Sequence, residues 1–426
     1  MHNMINRGHA PTSAFRTTPR LIRKASPTEM IYIATNTIVV SRSRIAGAVT
    51  RTQFEAAVAH LEARYGILRS VVDDGYFVER IGDRSAVETW SARETCSADA
   101  MYVRLLNADL DTAESIYALH VVADEDGLDI FMLSSHAITD ATSLVELHSC
   151  LAYMCDCVVR QVAPELEEQP FPQPVDAAVE RSLALLPTDR TSETPSFSGA
   201  YAEIPMRAPR DGRPVSHRIE RIVIAADDVA RIHAASHANK CSVHALLLAA
   251  FALAIRDASE GSPRQILMRS SVDIRRRLEP HVSTELVFSA ITGHITPVPD
   301  LDRPIFDIAR HIFGEIHDGV LNGSIFRDYV NYPRTFGSPQ QAPVALNVSD
   351  MQAVKFPWPT SRLTVTGFEY ALGWFKKFPN VSVSIFNGTL IATIVYVEEF
   401  ADPAIMRRVS EGVVNRLLSA VGEGQS

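Results

Sequence analysis

Residues 115–141 read SIYALHVVADEDGLDIFMLSSHAITDA, and this stretch decides what kind of chain this is. Two runs, 115–122 and 128–135, are dense in aliphatic, aromatic and β-branched side chains. The ADEDG between them supplies turn residues, which predicts a β-hairpin. The second run passes through His136-Ala137-Ile138-Thr139-Asp140 into ATSLVELHSCLAYMCDCVVRQ (141–161), whose length and apolar spacing predict a helix. A short polar loop held between a rigid strand and a rigid helix is a common place for chemistry.

The spacing His-x3-Asp occurs twice, at His120–Asp124 and His136–Asp140. With 14 histidines in the chain, roughly one such match is expected by chance, so spacing alone carries little. Context separates the two. His120 lies mid-strand and Asp124 in the turn, so their side chains face different surroundings. His136 ends a strand and Asp140 opens a helix. A neutral imidazole there is suited to taking a proton from an attacking hydroxyl, and the carboxylate can cap the helix or hold a cation. The residues leave two readings open: a general base, or a helix cap beside a structural histidine.

Outward from this centre, Ser26-Pro27-Thr28-Glu29 and Thr52 with Glu55 predict helix starts, and Gly66 predicts the end of the second helix. Beyond the central helix, nine of the 24 prolines fall between 163 and 214, which predicts an extended crossover with a short helix at VDAAVERSLALL. The chain then resumes as strand RIERIVIA, helix ADDVARIHAASHA and the apolar helix SVHALLLAAFALAIRDA, capped by Ser242. Strand ILMRSSVDI and helix IFDIARHIFGEIHDGVLNG follow. Strands VALNVSD, RLTVTGF, VSVSIFNG and LIATIVYVEE come next, the last two turning at Asn387-Gly388, and AIMRRVSEGVVNRLLSAV is a closing helix. The expected organisation is a flexible tail (1–20), an N-terminal lobe carrying HxxxD (21–162), a Pro-rich crossover (163–214) and a C-terminal lobe (215–426). Each lobe is expected to be α/β, an α+β sandwich with helices outside a largely antiparallel sheet.

Composition narrows the class. The chain has 426 residues, 46% hydrophobic and 21% charged, which suits one large or two medium globular domains. Its 41 basic against 50 acidic residues give −9, which argues against general nucleic-acid binding. No apolar run approaches the roughly 18 residues of a membrane span, and the polar first 20 residues lack a signal-peptide core. A soluble, cytoplasmic monomer that binds neither nucleic acid nor membrane is expected. Five cysteines are an odd number, too few for a disulfide scaffold. Cys150, Cys155 and Cys157 share the central helix and read as buried thiols. His233, His237 and His244 lack a third well-placed ligand, so no metal is expected.

The order of these parts, with LIRKASPTEM (21–30), the hairpin into HAITD, CSVHALLLAAF (241–251) and SVDIRRRL (271–278), resembles a known superfamily. It comprises chloramphenicol acetyltransferase, peptide-synthetase condensation domains and plant alcohol (BAHD) acyltransferases. Within it the chain is most similar to stand-alone PapA-type polyketide-associated acyltransferases. The resemblance implies two chloramphenicol-acetyltransferase-like lobes with a tunnel at their interface, His136 as general base and Asp140 as a mainly structural carboxylate. It further implies O-acyl transfer to a hydroxyl of a polyketide or related secondary metabolite. The expected donor is a CoA or acyl-carrier-protein thioester, with no permanently bound cofactor and no covalent acyl-enzyme required. A G-x-S-x-G nucleophile elbow is absent. The rival readings are a condensation enzyme joining carrier-bound substrates by an ester or amide bond, and a catalytically silent homologue that binds a metabolite or megasynthase.

Two departures from the family pattern HHxxxDG stand out. Ser135 replaces the first His and Ala141 the Gly, which puts the backbone after Asp140 in question. LTVTGFEYALGWF occupies the region where relatives carry DFGWG. Arg275 is the candidate partner of Asp140; a run such as Arg275–Arg277 also reads as a solvated face or a phosphate contact. Asn347 and Ser349 are candidate oxyanion or substrate contacts, or ordinary polar residues of a strand.

Overall fold

The computed structural model describes residues 19–422 apart from 83, 166, 187–199, 208–215, 262, 337–342 and 374–377. Most of the tail assigned to 1–20, two stretches of the crossover, and the Trp374-Phe375 end of LTVTGFEYALGWF therefore lie outside the described residues.

The described chain opens with β1 (Leu21–Lys24), and Ser26 then caps α1 (Pro27–Ala34) through a reciprocal box with Glu29. After β2 (Ile38–Ala46), α2 (Arg51–Arg64) starts two residues earlier than its T-x-x-E spacing suggests. Thr50 is the extended cap and Gln53 closes the box, while Glu55 pairs with Arg51 at 2.8 Å. The helix stops before Gly66, which opens a single 3-10 turn. Strands β3 (Ser70–Asp73), β4 (Tyr76–Glu79) and β5 (Val87–Ala92) precede α3 (Ala98–Leu106).

The expected hairpin is β6 (Tyr117–Asp124) and β7 (Gly127–Ser135). Gly127 has φ +150, and a Cβ there would lie 2.0 Å from the Ile45 carbonyl, so only glycine lets β2 close on the turn. All of β7 is buried. The helix after the motif is α4 (Ala141–Arg160), followed by α5 (Asp176–Ala184). The second half runs β8 (His217–Ile224), α6 (Ala226–Ala238), α7 (Val243–Ala258), β9 (Ile266–Asp273), β10 (Ile291–Val298), α8 (Ile305–Leu321) and α9 (Ser324–Thr335). It ends with β11 (Leu346–Ala353), β12 (Thr364–Gly373), β13 (Asn380–Phe386), β14 (Thr389–Val397) and α10 (Pro403–Gly422). Ser242 caps α7 as its spacing suggests. Asn387 and Gly388 take φ +49 and +81, the backbone of a two-residue hairpin turn.

The strands form a small sheet, β1-β4-β3, and two large ones, β12-β2-β7-β6-β5 and β10-β9-β11-β13-β14-β8. The first large sheet is antiparallel except for β5 beside β6. The second is more mixed than expected, because β11 runs parallel to both β9 and β13. The apolar helix α7 is buried on nearly every side and forms the centre of the second core with α8, α10 and the sheet.

Strand β12 comes from the last quarter of the chain but pairs along its length with β2. Its approach is clamped by Asp156 of α4, whose side chain is wholly buried. One Asp156 oxygen accepts the backbone N–H of Ser361, Arg362 and Leu363 at 3.1, 2.7 and 2.9 Å. Trp358 adds two bonds, from its backbone N–H to Ser149 Oγ and from its indole to Glu146 Oε1. The five cysteines are unpaired, with Cys150, Cys155 and Cys157 inside α4. Among the described residues no single helix is long and apolar enough to cross a membrane.

Candidate active site

The loop between β7 and α4 is shaped by its own short polar residues. Ile138 N–H and Thr139 Oγ1 donate to the Ser135 carbonyl, each at 3.1 Å, and Ser134 Oγ meets Thr139 Oγ1 at 2.7 Å. His136 N–H donates to Thr37 O at 2.9 Å, which fixes the histidine to the end of β2. The imidazole is only 7% exposed. Its Nδ1 lies 2.6 Å from the Thr139 carbonyl, which can only accept, so Nδ1 carries the proton of the neutral ring. Nε2 is then left as the basic nitrogen. Burial pushes the imidazole below its ordinary value of 6.5; the Thr139 bond and Asp140 oppose this, and the Arg269 charge adds to it.

Asp140 points elsewhere. It is the extended N-cap of α4 (φ −129) and accepts Ser143 N–H at 3.0 Å. Arg275 grips both carboxylate oxygens, Nη1 to Oδ2 at 2.6 Å and Nη2 to Oδ1 at 3.0 Å. Ala290 N–H donates to Oδ2 at 2.8 Å. Asp140 is 2% and Arg275 0% exposed. Burial would raise the carboxyl's pKa, but the guanidinium and the two N–H groups outweigh it and hold the group below the usual carboxylate value. Arg275 also donates to Ser143 Oγ and the Phe288 carbonyl and lies 4.6 Å from the Phe288 ring centre. Thr142 reaches Asp273 Oδ2 at 2.8 Å, so the start of α4 is tied twice to the end of β9.

Ala141 is the first helical residue and is not among the positive-φ residues. The glycine of related motifs is therefore not needed for this backbone. Ser135, standing where the pattern has His, turns its Oγ to Ala137 N–H at 3.3 Å and stabilises the loop.

Asn347 and Ser349 share the face of β11 that carries polar side chains. Both amide hydrogens of Asn347 have acceptors, Ser271 Oγ at 3.1 Å and Asn380 Oδ1 at 2.5 Å, while its Oδ1 accepts from Arg269 Nη1 at 2.9 Å. Ser349 Oγ accepts from Tyr370 OH at 3.0 Å. His233 and His237 lie on α6. His244, on α7, reaches Ser270 Oγ at 3.0 Å and Asp350 Oδ2 at 3.4 Å, bridging β9 and β11. Among the described residues no group of three or more His, Cys, Asp or Glu is placed to hold a metal ion.

The structure also brings residues to His136 that the motif does not mention. Tyr32 of α1 lies against the imidazole, tilted by 31° with ring centres 4.5 Å apart, and the Tyr332 ring of α9 lies 6.2 Å from that of Tyr32. Arg269 is within electrostatic reach of all three. Period-two counting back along β9 from Asp273 to Ser271 and Arg269 would have placed Arg269 on the same face. Nothing in the sequence aligns Tyr32 and Tyr332 with His136, because they come from opposite halves of the chain.

Comparison with known proteins places this geometry. Residues 213–390 match the family model described as phthiocerol/phthiodiolone dimycocerosyl transferase C-terminus, PapA_C. No curated protein sequence matches the chain. Polyketide synthase associated protein 5 from Mycobacterium tuberculosis superposes with a TM-score of 0.71, covering 95% of this chain and 100% of that one at 17% identity. The condensation domain of the Monacolin K polyketide synthase MokA gives 0.69 over 95% and 98% at 11% identity. TRI3 trichothecene 15-O-acetyltransferase from Fusarium sporotrichioides gives 0.68 over 94% and 95% at 11% identity. At such identities these likenesses establish a shared two-lobed fold. With the family-model match across residues 213–390, they bear out the resemblance to PapA-type proteins and condensation domains read from the sequence.

Proposed function

We propose that the protein transfers an acyl group from a thioester to a hydroxyl, with His136 as the general base. The observation that carries this reading is the buried imidazole whose Nδ1 is tied to the Thr139 carbonyl at 2.6 Å, leaving Nε2 to accept a proton. In the proposed step Nε2 removes the proton of the acceptor hydroxyl as its oxygen attacks the thioester carbonyl. The tetrahedral intermediate collapses with loss of the C–S bond, and the imidazolium returns the proton to the departing thiolate. Asp140 does not relay the proton, because Arg275 holds both of its oxygens.

The donor is proposed to be an acyl-CoA or the phosphopantetheine thioester of an acyl carrier protein. The acceptor is proposed to be an alcohol of a polyketide or related secondary metabolite, reached through a tunnel between the lobes. The matching family model, a dimycocerosyl transferase, and the structural neighbours, a polyketide-synthase-associated protein and an O-acetyltransferase, support this choice. A second reading, condensation of two carrier-bound substrates, is favoured by the MokA domain, whose fold is as similar as that of the O-acetyltransferase. Dependence on a carrier protein separates the two.

The test is a mass-spectrometric transfer assay with acyl-CoAs, acyl-carrier thioesters and polyketide alcohols. Wild type is expected to add an acyl mass to an acceptor, and His136→Ala to lose roughly 100- to 10,000-fold in rate, the usual contribution of a positioned acid–base group. Unchanged transfer by His136→Ala would overturn the mechanism.

A further inference from the structure

We propose that the open cavity at the C-terminal end of α4 binds a phosphate-bearing small molecule between Arg160 and Arg362. The cavity has a volume of about 560 Å³ and is lined by Val159, Arg160, Gln161, Val162, Ser361 and Arg362. Ligand pockets span roughly 300–1,000 Å³, so there is room for more than a bare ion. Helix α4 has 20 residues, which puts about 30 Å of helix between this cavity and Asp140 at the other end. The site is therefore separate from the reacting centre and does not depend on the acyl-transfer reading.

The lining holds two guanidiniums and no carboxylate, in a chain whose net charge is −9. Arg160 alone has an ordinary explanation. It lies in the last turn of α4, where a cation offsets the negative end of the helix dipole. Its Nη1 donates to Asp156 Oδ2 at 3.0 Å and to Ser361 Oγ at 2.8 Å. Arg362 has no such explanation. It is exposed, and among the described residues its guanidinium makes no hydrogen bond or ion pair. Only its backbone is committed, through the N–H that Asp156 accepts at 2.7 Å.

Asp156 does not answer the second charge. Its side chain is wholly buried; Oδ1 accepts three backbone N–H groups and Oδ2 is taken by Arg160 and the Ser361 hydroxyl. The same bonds fix the backbone from which Arg362 projects and one nitrogen of Arg160, so both cations start from anchored positions. A planar carboxylate saturates a single guanidinium fork, whereas two forks on separate segments suit a phosphoryl group with its three acceptor oxygens. The Gln161 amide and the Ser361 hydroxyl line the same cavity and add donors. Val159 and Val162, the latter 42% exposed, leave apolar surface for the rest of such a molecule. A ligand held here bridges the end of α4 to the approach of β12 and reinforces the Asp156 clamp.

The experiment pairs isothermal titration with hydrogen exchange at Ser361, Arg362 and Leu363. The probes are adenosine 5′-monophosphate and inorganic pyrophosphate, with adenosine as the uncharged control. At least one phosphate probe is expected to bind, to exceed adenosine by at least about tenfold, and to slow exchange at the three amides. Arg362→Met should weaken that binding roughly 10- to 100-fold, the range of a charge-assisted hydrogen bond, and Arg362→Lys should retain part of it. Neither variant should alter exchange in the ligand-free protein, because the clamp uses only the Arg362 backbone. A wild type that binds neither phosphate probe, affinity that survives Arg362→Met, adenosine binding as well as its phosphate, or binding that leaves the three amides unprotected each overturns the proposal.

Discussion

Replacing Arg275 with Met tests what the motif carboxylate does. The substitution keeps much of the side-chain volume but leaves Asp140 as a buried carboxylate with only the Ser143 and Ala290 N–H groups. It also removes the donors to Ser143 Oγ and the Phe288 carbonyl. Breaking one side of a buried ion pair costs about 3–5 kcal/mol. Hydrogen exchange at the Ser143 and Ala290 amides reads that loss locally, and protection there should fall by roughly two to four orders of magnitude. The sign of the pH dependence is fixed too. In wild type the Asp140 pKa is depressed, so the pair's stabilisation is present above the unfolded value of 3.8 and is lost as pH falls through the folded one. In Arg275→Met burial acts unopposed by the guanidinium and raises that pKa, so acidification relieves the mutant. The gap between the two proteins is therefore widest near neutrality and narrows toward acid. A loss of protection below tenfold, or a gap that does not change with pH, would refute the assignment of Asp140 as a charged structural anchor.

Two further predictions follow from the same geometry. Because burial depresses the His136 pKa, the acid limb of the pH dependence of kcat/KM should lie below pH 6.5, with activity falling as pH drops through that limb; a limb above 6.5 would contradict the buried, neutral base. Asp156→Ala strips the acceptor from three backbone N–H groups at the approach to β12 and should cost about 2–4 kcal/mol, with Asp156→Asn milder, measured by amide exchange at Ser361, Arg362 and Leu363.

Sequence periodicity exposes some of this protein and conceals the rest for physical reasons. The hairpin of β6 and β7, the long α4 and the capped α1 and α7 are legible because each is specified within a few residues. Strand β2 is not, since Arg42 and Arg44 interrupt its apolar pattern; they are satisfied by Asp129 on β7 and Glu369 on β12, partners that only the assembled sheet supplies. The T-x-x-E spacing at Thr52 misleads because Thr50 with Gln53 satisfies the same rule two residues earlier. Helix α9, which brings Tyr332 to the site, hides behind Gly323, where the sequence suggests an end rather than a new start. The HxxxD spacing locates His136, but the roles around it depend on long-range contacts. Arg275 meets Asp140 across 135 positions, a separation that no local pattern encodes.

The charges around His136 form a consistent arrangement. A carboxylate four residues away would ordinarily favour the imidazolium, which makes a poor resting base. Here that carboxylate is held by Arg275, and the Arg269 charge opposes its pull on the imidazole. Burial is the largest influence on the ring and, with the Arg269 charge, lowers its pKa. In the proposed mechanism, burial and the Arg269 charge would disfavour the imidazolium formed during transfer, and that would promote return of its proton to the departing thiolate.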